Sequence, residues 1–458
     1  MLVIYLFILL TSSLTTSIND EFDCNKFPLN KRPSCLMMEE ILRKPPVTAR
    51  PPGPDGRFPD PTPDRPELNC LNISCLCPFF NGTSNGQVND CTLPTGNKLQ
   101  KCVRKEIRML TNKERTDYFA AVKQMKKNGD FDLCAVLHRD TVNEHAGHFG
   151  PSFLPWHREF LKRCEIMLRE AEFQISQTTH ACLPYWDSTL DDRLIQPKDS
   201  LLFTESFLGS TNSNGQVING PYSPWLTLEK EDFLRRSLGT IGATCYPERD
   251  IDWQLEQTDI KNILAFSRPN KSCPYEANMA YPEYGHNTVH NFIGGHMANP
   301  VTSANDPIFF NHHSFVDLLF ELWRKQRQNY TQRSIDYPPN NANIEGCKNE
   351  YTDNMYEYAP RPTCSLNNPD CGSEWLFCDL SHGNPHCAAK ACLGGNCSGF
   401  IIGEQVCHDS ICENNVCVED DILTRLMQEK STPNPQKAPK IFLKNLENKE
   451  KINKIIKK

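Results

Sequence analysis

The chain has 458 residues, a formal net charge of −7 and 38% hydrophobic residues, which is enough for one large domain with appendages. The last 29 residues hold nine Lys against two Glu, so this tail carries +7 and the remainder carries −14. An acidic body of this kind gives no reason to expect a nucleic-acid partner. After residue 17 no stretch approaches eighteen consecutive apolar residues, so we expect no membrane span.

The amino terminus and the cysteine content both predict a secreted, extracellular protein. Residues 1–17 form an apolar run followed by small polar residues, which is typical of a signal peptide, with a buried strand as the alternative. Twenty-two cysteines, an even number, suit an oxidising compartment. In that compartment five Asn-x-Ser/Thr sequons become expected glycosylation sites: Asn72, Asn81, Asn270, Asn329 and Asn396.

Two segments ahead of the core are expected to contain little regular structure. Residues 18–68 are predicted to be a linker, because residues 44–67 contain nine prolines, as in extended polyproline chains. Residues 69–102 contain five cysteines among many Gly, Asn and Ser, and we expect a loop module that is pinned by disulfides and docked on the core. A zinc knuckle is the alternative, and the lack of histidine in this segment argues against it.

The core is predicted to span residues 103–346. Its first helix should begin at Thr111, because Glu114 three residues later completes a capping-box pattern. Residues 191–270 lack long periodic runs, so we expect loops there that form the walls of an active-site mouth. The apolar stripe of the first helix should consist of Phe119, Val122 and Met125.

A first group of histidines lies between residues 134 and 168. His148 and His157 bracket a rigid FGPSFLP turn, and Pro155 should open a helix with an apolar face. His138 lies upstream, on what we expect to be a separate short helix. A single buried histidine is usually a satisfied core residue, so the group is informative only as a set.

A second group lies between residues 285 and 323. His286 and His290 are four residues apart, which places both rings on one face of a helix. The Asp306–Pro307 pair should start another helix, with His312 and His313 in its second turn. Three imidazoles that converge from two helices in apolar sequence indicate metal ligands. Two such sets predict two neighbouring metals in a four-helix bundle, with the ligands pointing inward.

The stretches SFLPWHREFL and DPIFFNHHSFVDLLFELW resemble the two copper-binding signatures of tyrosinases, catechol oxidases and haemocyanins, the type 3 copper proteins. The resemblance covers residues 103–328, and PYWD at residues 184–187 also matches the family. It implies a mainly α fold: a four-helix-bundle dicopper core with long loops, flanked by disulfide-rich irregular segments. It also implies two copper ions, with copper A bound by His138, His148 and His157 and copper B bound by His286, His290 and His313.

Further residues acquire roles through the same resemblance. His312 would lie just outside the ligands, and Phe309 matches a position where the family packs an aromatic ring against the site, although ordinary helix packing explains it equally well. His145 competes with His138 as the first copper A ligand, and the family's pattern favours His138. Several relatives carry a cysteine where this chain has Ala146, so we expect no thioether link to a histidine.

The resemblance implies a secreted enzyme that uses O2 to hydroxylate monophenols and to oxidise o-diphenols to o-quinones, for pigment or for crosslinking of extracellular or shell matrix. Tyrosine residues of matrix proteins are then possible substrates. Asn287 matches a residue that helps to hold a water for phenol deprotonation, and its carboxylate partner would be Glu276 or Glu283. A catechol oxidase, a haemocyanin-like oxygen carrier and an inactive matrix protein are the alternatives.

The carboxy-terminal part is expected to form two separate segments. Residues 347–418 contain ten cysteines, so disulfides should hold this unit together, with five bridges possible and the pairing open. The unit resembles the cysteine-rich extension of secreted molluscan tyrosinases. Residues 419–458 are Lys-rich and are predicted to be disordered, with a basic amphipathic helix as the alternative. Three histidines of the extension could bind metal but are expected to be surface residues: His382, His386 and His408.

Overall fold

The computed structural model describes residues 24–26, 32–43, 62, 64–143, 147–239, 243–265, 267, 280–337 and 342–420. The predicted signal peptide, most of the proline-rich segment and nearly all of the Lys-rich tail lie outside these residues. Four residues discussed above also lie outside them: His145, Ala146, Asn270 and Glu276.

Helices dominate the regular structure, which confirms the predicted mainly α fold. The helices are α1 Arg32–Arg43, α2 Ile73–Leu76, α3 Asn112–Asn128, α4 Asp130–Asn143, α5 Phe153–Ser176, α6 Thr189–Asp192, α7 Glu248–Glu256, α8 Pro282–Ile293, α9 Pro300–Ser303, α10 Ile308–Arg327 and α11 Tyr330–Ile335. Short strands form three two-stranded sheets, and these strands are β1 Cys102–Arg104, β2 Tyr356–Tyr358, β3 Leu376–Asp379, β4 His386–Ala389, β5 Ile411–Glu413 and β6 Val416–Val418. None of the described helices is both long and apolar enough to cross a membrane.

Helices α4, α5, α8 and α10 form the bundle that positions the candidate site. Helix α5 packs against α3, α4 and α10, and α10 also packs against α8. Both long helices are buried along most of their length, because apolar residues cover more than one face of each. A disulfide between Cys134 and Cys164 joins α4 to α5.

Local signals in the sequence predict several helix starts close to the positions at which the helices begin in the structure. Thr111 caps α3, and its capping box with Glu114 is complete. In the apolar stripe of α3, however, Tyr118 is buried and the predicted Phe119 is only partly buried. Helix α5 starts at Phe153, so Pro155 lies inside its first turn rather than opening it.

A buried ionic network fastens α5 and α10 to the β1–β2 pair. Arg104 donates two hydrogen bonds to Glu165, each at 3.0 Å. Arg158 donates to Asp317 at 2.6 Å and to Glu321 at 3.0 Å. The side chains of all five residues are at most 5% exposed, so these charges are stabilised by one another rather than by water.

Disulfides organise the segments on either side of the core. In residues 69–102 the bridges Cys70–Cys75 and Cys77–Cys91 close the loops, and Cys102–Cys182 ties the segment to the core. These cysteines are therefore disulfide-bonded and not zinc ligands. The extension contains four bridges rather than five: Cys364–Cys378, Cys371–Cys387, Cys397–Cys412 and Cys407–Cys417. Among the described residues Cys245, Cys347 and Cys392 are unpaired.

Helix α1 is an element that the sequence analysis missed, because it lies inside the predicted linker. Its Cys35 forms a disulfide with Cys24, eleven residues upstream. The helix packs against α8, so part of the amino-terminal segment is a packed element of the fold.

Candidate metal centre

The first histidine set is assembled from two helices and the turn between them. His138 lies on α4, His157 lies in the second turn of α5, and His148 lies on the connecting loop. One ring nitrogen from each of the three lies within 4.8 Å of the others. The loop has positive φ angles at Gly147 and Phe149, so His148 depends on an unusual backbone conformation for its position.

The second set comes from two regular helices. Nε2 of His313 on α10 lies 3.0 Å from Nε2 of His286 and 3.2 Å from Nε2 of His290, both on α8. His286 and His290 are four residues apart on one helix face, as the spacing predicts. The three nitrogens therefore point at one common region.

Backbone carbonyl groups fix the tautomers of three of these histidines. Nδ1 of His157 donates to the carbonyl oxygen of Phe153 at 2.8 Å, and Nδ1 of His290 donates to that of Met297 at 2.8 Å. Nδ1 of His286 donates to the carbonyl oxygen of Glu283 at 3.2 Å. Since a carbonyl oxygen only accepts, Nδ1 carries the proton and the Nε2 of each neutral ring has a free lone pair. This is the tautomer in which a histidine binds metal through Nε2.

The arrangement leaves buried ring nitrogens without a protein partner. Within the described residues Nε2 of His138 and Nε2 of His157 have no hydrogen-bond partner. Nε2 of His313 can donate at most one proton, so it cannot satisfy both lone pairs that face it from α8. Unsatisfied buried nitrogens are costly in a native fold unless a cation occupies the space between them, and both sets fit metal ions in this respect.

His312 lies beside the second set but takes a different partner. Its Nε2 donates to the backbone oxygen of His286 at 3.1 Å, and its ring stacks on that of His286 with a centroid distance of 5.0 Å. A ring nitrogen of His312 does lie within 4.8 Å of nitrogens of His286 and His290. Nε2 of His312 already donates to a backbone oxygen, whereas Nε2 of His313 lies 3.0 and 3.2 Å from the Nε2 atoms of His286 and His290. We therefore assign His313 to the set and His312 to its support.

The two sets are direct neighbours. The rings of His157 and His313, one from each set, stack with a centroid distance of 4.4 Å. Phe309 is fully buried, and its ring lies 4.1 Å from that of His313 and 4.6 Å from that of His138. Phe153 likewise contacts His157 and His286, so two aromatic rings line the contact between the sets and keep it apolar.

Burial keeps these imidazoles neutral. Desolvation, reinforced in most of them by neighbouring imidazoles, lowers the pKa of five histidines well below the usual range: His138, His157, His286, His312 and His313. Burial also lowers the pKa of His290 to about 4. At neutral pH the rings are therefore in the form that binds metal.

Glu283 connects the two sets. Its carboxylate accepts a hydrogen bond from the backbone N–H of Phe149 at 2.6 Å and another from the hydroxyl of Ser267. Its backbone carbonyl oxygen accepts the hydrogen bond from Nδ1 of His286. Burial raises the pKa of Glu283 to about 7. Because Phe149 follows His148 in the strained loop, this carboxyl group ties the loop of the first set to the helix of the second.

Asn287 and several residues absent from the predicted site line a small cavity beside the histidines. No described residue of 191–270 lines this cavity, and the expectation that this segment forms the walls of an active-site mouth stays a prediction. Helix α1 contributes Met37 and Met38 to this cavity. The sequence did not predict this contribution, because these methionines belong to no recognisable motif. Besides five histidines, the lining residues are Met37, Met38, Phe149, Glu283, Asn287, Met297, Pro300 and Ser303.

A family model described as the common central domain of tyrosinase matches residues 114–326. A tyrosinase of Streptomyces antibioticus is 32% identical over 247 residues, which cover 49% of this chain and 83% of that protein. The chain belongs to the tyrosinase family. The matched region contains both histidine sets, so the family resemblance of the two signatures is confirmed.

Two further relatives extend the comparison. A putative tyrosinase-like protein, tyr-3, of Caenorhabditis elegans is 40% identical over 441 residues and matches 90% of this chain. A tyrosinase-like protein of Pinctada maxima is 30% identical over 296 residues and matches 57% of this chain. The chain spans 62% of the length of each of these two relatives.

The other predicted sites that the structure describes lie in the extension and at the sequons. In the extension, His382 and His386 flank the buried carboxylate of Asp379 at 3.0 and 3.1 Å, and His408 packs against Trp375. Among the described sequons, Asn81 and Asn329 are exposed and Asn72 and Asn396 are half-buried.

Proposed function

We propose that this chain is a copper-dependent phenol and catechol oxidase of the tyrosinase family. His138, His148 and His157 hold one copper ion, and His286, His290 and His313 hold the other. The observation that carries the proposal is the pair of adjoining sets of buried imidazoles. Nε2 of His138 and Nε2 of His157 have no protein partner, and Nε2 of His313 faces the Nε2 atoms of His286 and His290. Imidazole suits copper in both of its common oxidation states.

When bound, the copper pair supplies the redox chemistry by which O2 is reduced and a phenol or catechol is oxidised. The protein contributes position and environment. Backbone carbonyls orient His157, His286 and His290, Phe309 and Phe153 exclude water from between the sets, and Glu283 holds the loop that carries His148. These supports keep the ligands fixed while the substrate changes.

The choice between the two activities depends on proton removal from a monophenol. A phenol must lose its proton before its oxygen binds a metal, whereas a catechol binds more readily. We propose that Asn287 holds a water that accepts this proton, since it lines the cavity next to His286. We assign neither candidate carboxylate to this water. Glu283 already accepts hydrogen bonds on both carboxylate oxygens, and Glu276 lies outside the described residues.

Two experiments test this function. The copper-loaded protein is treated with peroxide and examined for a peroxide-to-copper absorption band, and it is then offered tyrosine and a catechol. We expect the band and turnover of both substrates. A band without turnover favours an oxygen carrier, and no band favours a structural matrix protein. The ratio of tyrosine hydroxylation to catechol oxidation in Asn287→Ala then tests the proton step, since only hydroxylation should fall.

We further propose that the protein is secreted. Nine disulfides join described cysteines, which suits an oxidising compartment. The exposed sequons at Asn81 and Asn329 are accessible to glycosylation. Mass spectrometry of the purified chain tests this: the mature protein should start after about residue 17, as signal-peptide lengths imply, and should carry glycans.

A further inference from the structure

A cleft of about 690 Å³ lies between the core and the cysteine-rich extension. Its lining comes from α6, the carboxy-terminal half of α10, the segment that follows β2 and the start of β4. None of the six histidines assigned to copper is among the described residues that line it. Pockets that bind organic ligands usually measure about 300–1,000 Å³, so the cleft has the size of a separate ligand site.

The wall formed by residues 359–364 is fixed by the rest of the fold. The hydroxyl of Tyr185 in the core donates to the backbone oxygens of Ala359 at 3.2 Å and Pro360 at 3.0 Å. At the other end of the wall, Cys364 is bound to the extension by a disulfide. A ligand that enters the cleft therefore pays little entropy for ordering this wall, which favours binding.

Much of the surface inside the cleft is apolar. Proline has no backbone N–H, so the proline-rich wall offers apolar rings, and donors to a ligand must come chiefly from side chains elsewhere. This surface suits the hydrocarbon part of an organic molecule. The apolar lining residues are Leu190 of α6, Leu318 and Leu322 of α10, and Pro360, Pro362 and Pro385.

The two carboxylates that line the cleft are already compensated by arginines. Glu248 accepts one hydrogen bond from Arg361 on each of its oxygens, both at 2.7 Å. Glu321 accepts hydrogen bonds from Arg158 at 3.0 Å and from Arg324 at 2.7 Å. Neither carboxylate is therefore free to attract a cationic ligand into the cleft.

Two cationic side chains of the lining have no counter-charge in direct contact. No hydrogen bond or ion pair joins Arg193 to another described residue, and the neighbouring Asp192 acts on it through charge alone. Nζ of Lys325 lies 3.8 Å from the nearest carboxylate oxygen, which is beyond hydrogen-bond distance. His386 also lines the cleft, but its Nε2 lies 3.1 Å from the buried carboxylate of Asp379.

We propose that this cleft is a second ligand site, which binds an organic carboxylate with an apolar body. Arg193 and Lys325 attract the carboxylate, and the leucines and prolines contact the body. An inorganic anion would leave the apolar wall in water, and a neutral apolar molecule would leave both cations without a partner. This inference goes beyond the oxidase function and does not depend on it, because the described lining contains no assigned copper ligand.

The main experiment titrates 4-phenylbutyrate into the full mature chain and measures the heat of binding. The titration is done with the copper-loaded and the copper-free protein, since a carboxylate that binds only to copper would give heat in the loaded form alone. We expect one site with a Kd of about 1 mM or tighter in both forms. 4-Phenylbutanamide, which has the same body without the charge, should bind about tenfold more weakly.

Point variants locate the site. Arg193→Gln should raise the Kd of 4-phenylbutyrate about tenfold, because a charged hydrogen bond is lost. Lys325→Gln should raise it only about two- to fivefold, because Lys325 is 53% exposed. Leu322→Trp fills part of the cleft and should raise the Kd by at least about tenfold. Lys123→Gln is the matched control, because Lys123 is exposed on α3 and does not line the cleft.

Each outcome of these titrations supports or overturns the proposal. Absence of binding to the copper-free wild type up to about 10 mM overturns it, and so does equal affinity for the acid and the amide. The same Kd in wild type and in the folded Arg193→Gln and Leu322→Trp variants shows that the cleft is not the site. Urea unfolding confirms that each variant is folded, and the two glutamine variants decide if Leu322→Trp is not.

Discussion

The interface between helices α5 and α10 buries two very different groups of polar side chains about one helix turn apart, which we call its imidazole end and its charged end. At one end His157 and His313 stack within a cluster of neutral imidazoles, some of whose nitrogens have no protein partner. One turn further along α10, Asp317 accepts hydrogen bonds on both carboxylate oxygens, from Arg158 and from two tyrosine hydroxyls. Both ends are buried. They differ in that both carboxylate oxygens of Asp317 accept hydrogen bonds, although Nη1 of Arg158 has no partner, whereas Nε2 of His138 and Nε2 of His157 have none.

This difference separates the part of the molecule that holds the fold from the part that awaits a ligand. A buried charge with all of its partners contributes to a unique fold, and removal of one partner leaves the others uncompensated. A buried imidazole without a partner contributes little to the fold and is available to a metal. Changes at the two ends should therefore affect different measurements.

The largest effect is expected from His290→Ala. Loss of one of three ligands should remove one copper ion per chain and abolish the peroxide absorption band, while the copper-free variant remains folded. Metal analysis and absorption spectroscopy measure this. His408→Ala is the control, because His408 lies in the extension against Trp375 and should leave both copper ions bound. Two copper ions and full activity in His290→Ala would show that the assignment is wrong.

At the charged end, Asp317→Ala should lower stability without changing the metal sites of the molecules that remain folded. Arg158 would lose its 2.6 Å hydrogen bond in a fully buried position. Breaking a buried pair in this way costs about 3–5 kcal/mol, which urea unfolding of the copper-free protein measures. Asp317→Asn, of nearly the same volume, serves if the alanine variant does not fold. Unchanged unfolding midpoints in both variants would contradict the role of the network.

Glu283→Ala tests the link between the two histidine sets. Alanine offers no side-chain acceptor to the backbone N–H of Phe149 or to the hydroxyl of Ser267, so both hydrogen bonds are lost and the loop of His148 is held less firmly. We expect the affinity for one copper ion to fall about 10- to 100-fold and the other ion to stay bound. Stepwise chelator titration resolves the two ions. An equal loss of both would mean that Glu283 does not act through the loop.

The smallest effect concerns acid stability. Burial alone would raise the pKa of Asp317, but the charges of Arg158 and Arg104 hold this pKa below its usual value. A depressed carboxyl pKa adds stability above the unfolded-state value of about 4, and this stability is lost as the pH falls through the folded-state value. The difference in free energy of unfolding between wild type and Asp317→Asn should thus decrease by about 1 kcal/mol when the pH is lowered from neutral to about 3. A constant gap would exclude this linkage.

Local patterns predicted the helices that carry the second histidine set. Four-residue spacing placed His286 and His290 on one face of α8, and the Asp306–Pro307 pair placed the start of α10 within two residues. These signals succeed because helix periodicity and capping depend on residues close together in the chain. The geometry of the first set was harder to predict from local patterns, since His148 lies on a loop that is held by Glu283, more than 130 residues away in the sequence.

The sequence by itself determined the mainly helical fold, the tyrosinase signatures and the two groups of histidines, because each is encoded by short-range spacing and residue type. Only the tertiary structure decided which cysteines pair, how the loop of His148 is held, and that Met37 and Met38 line the cavity beside the histidines. These features arise from contacts between distant segments, and such contacts form when apolar area is buried. That driving force has no direction, so the periodic pattern that marks the apolar face of a helix does not say which distant segment will cover it.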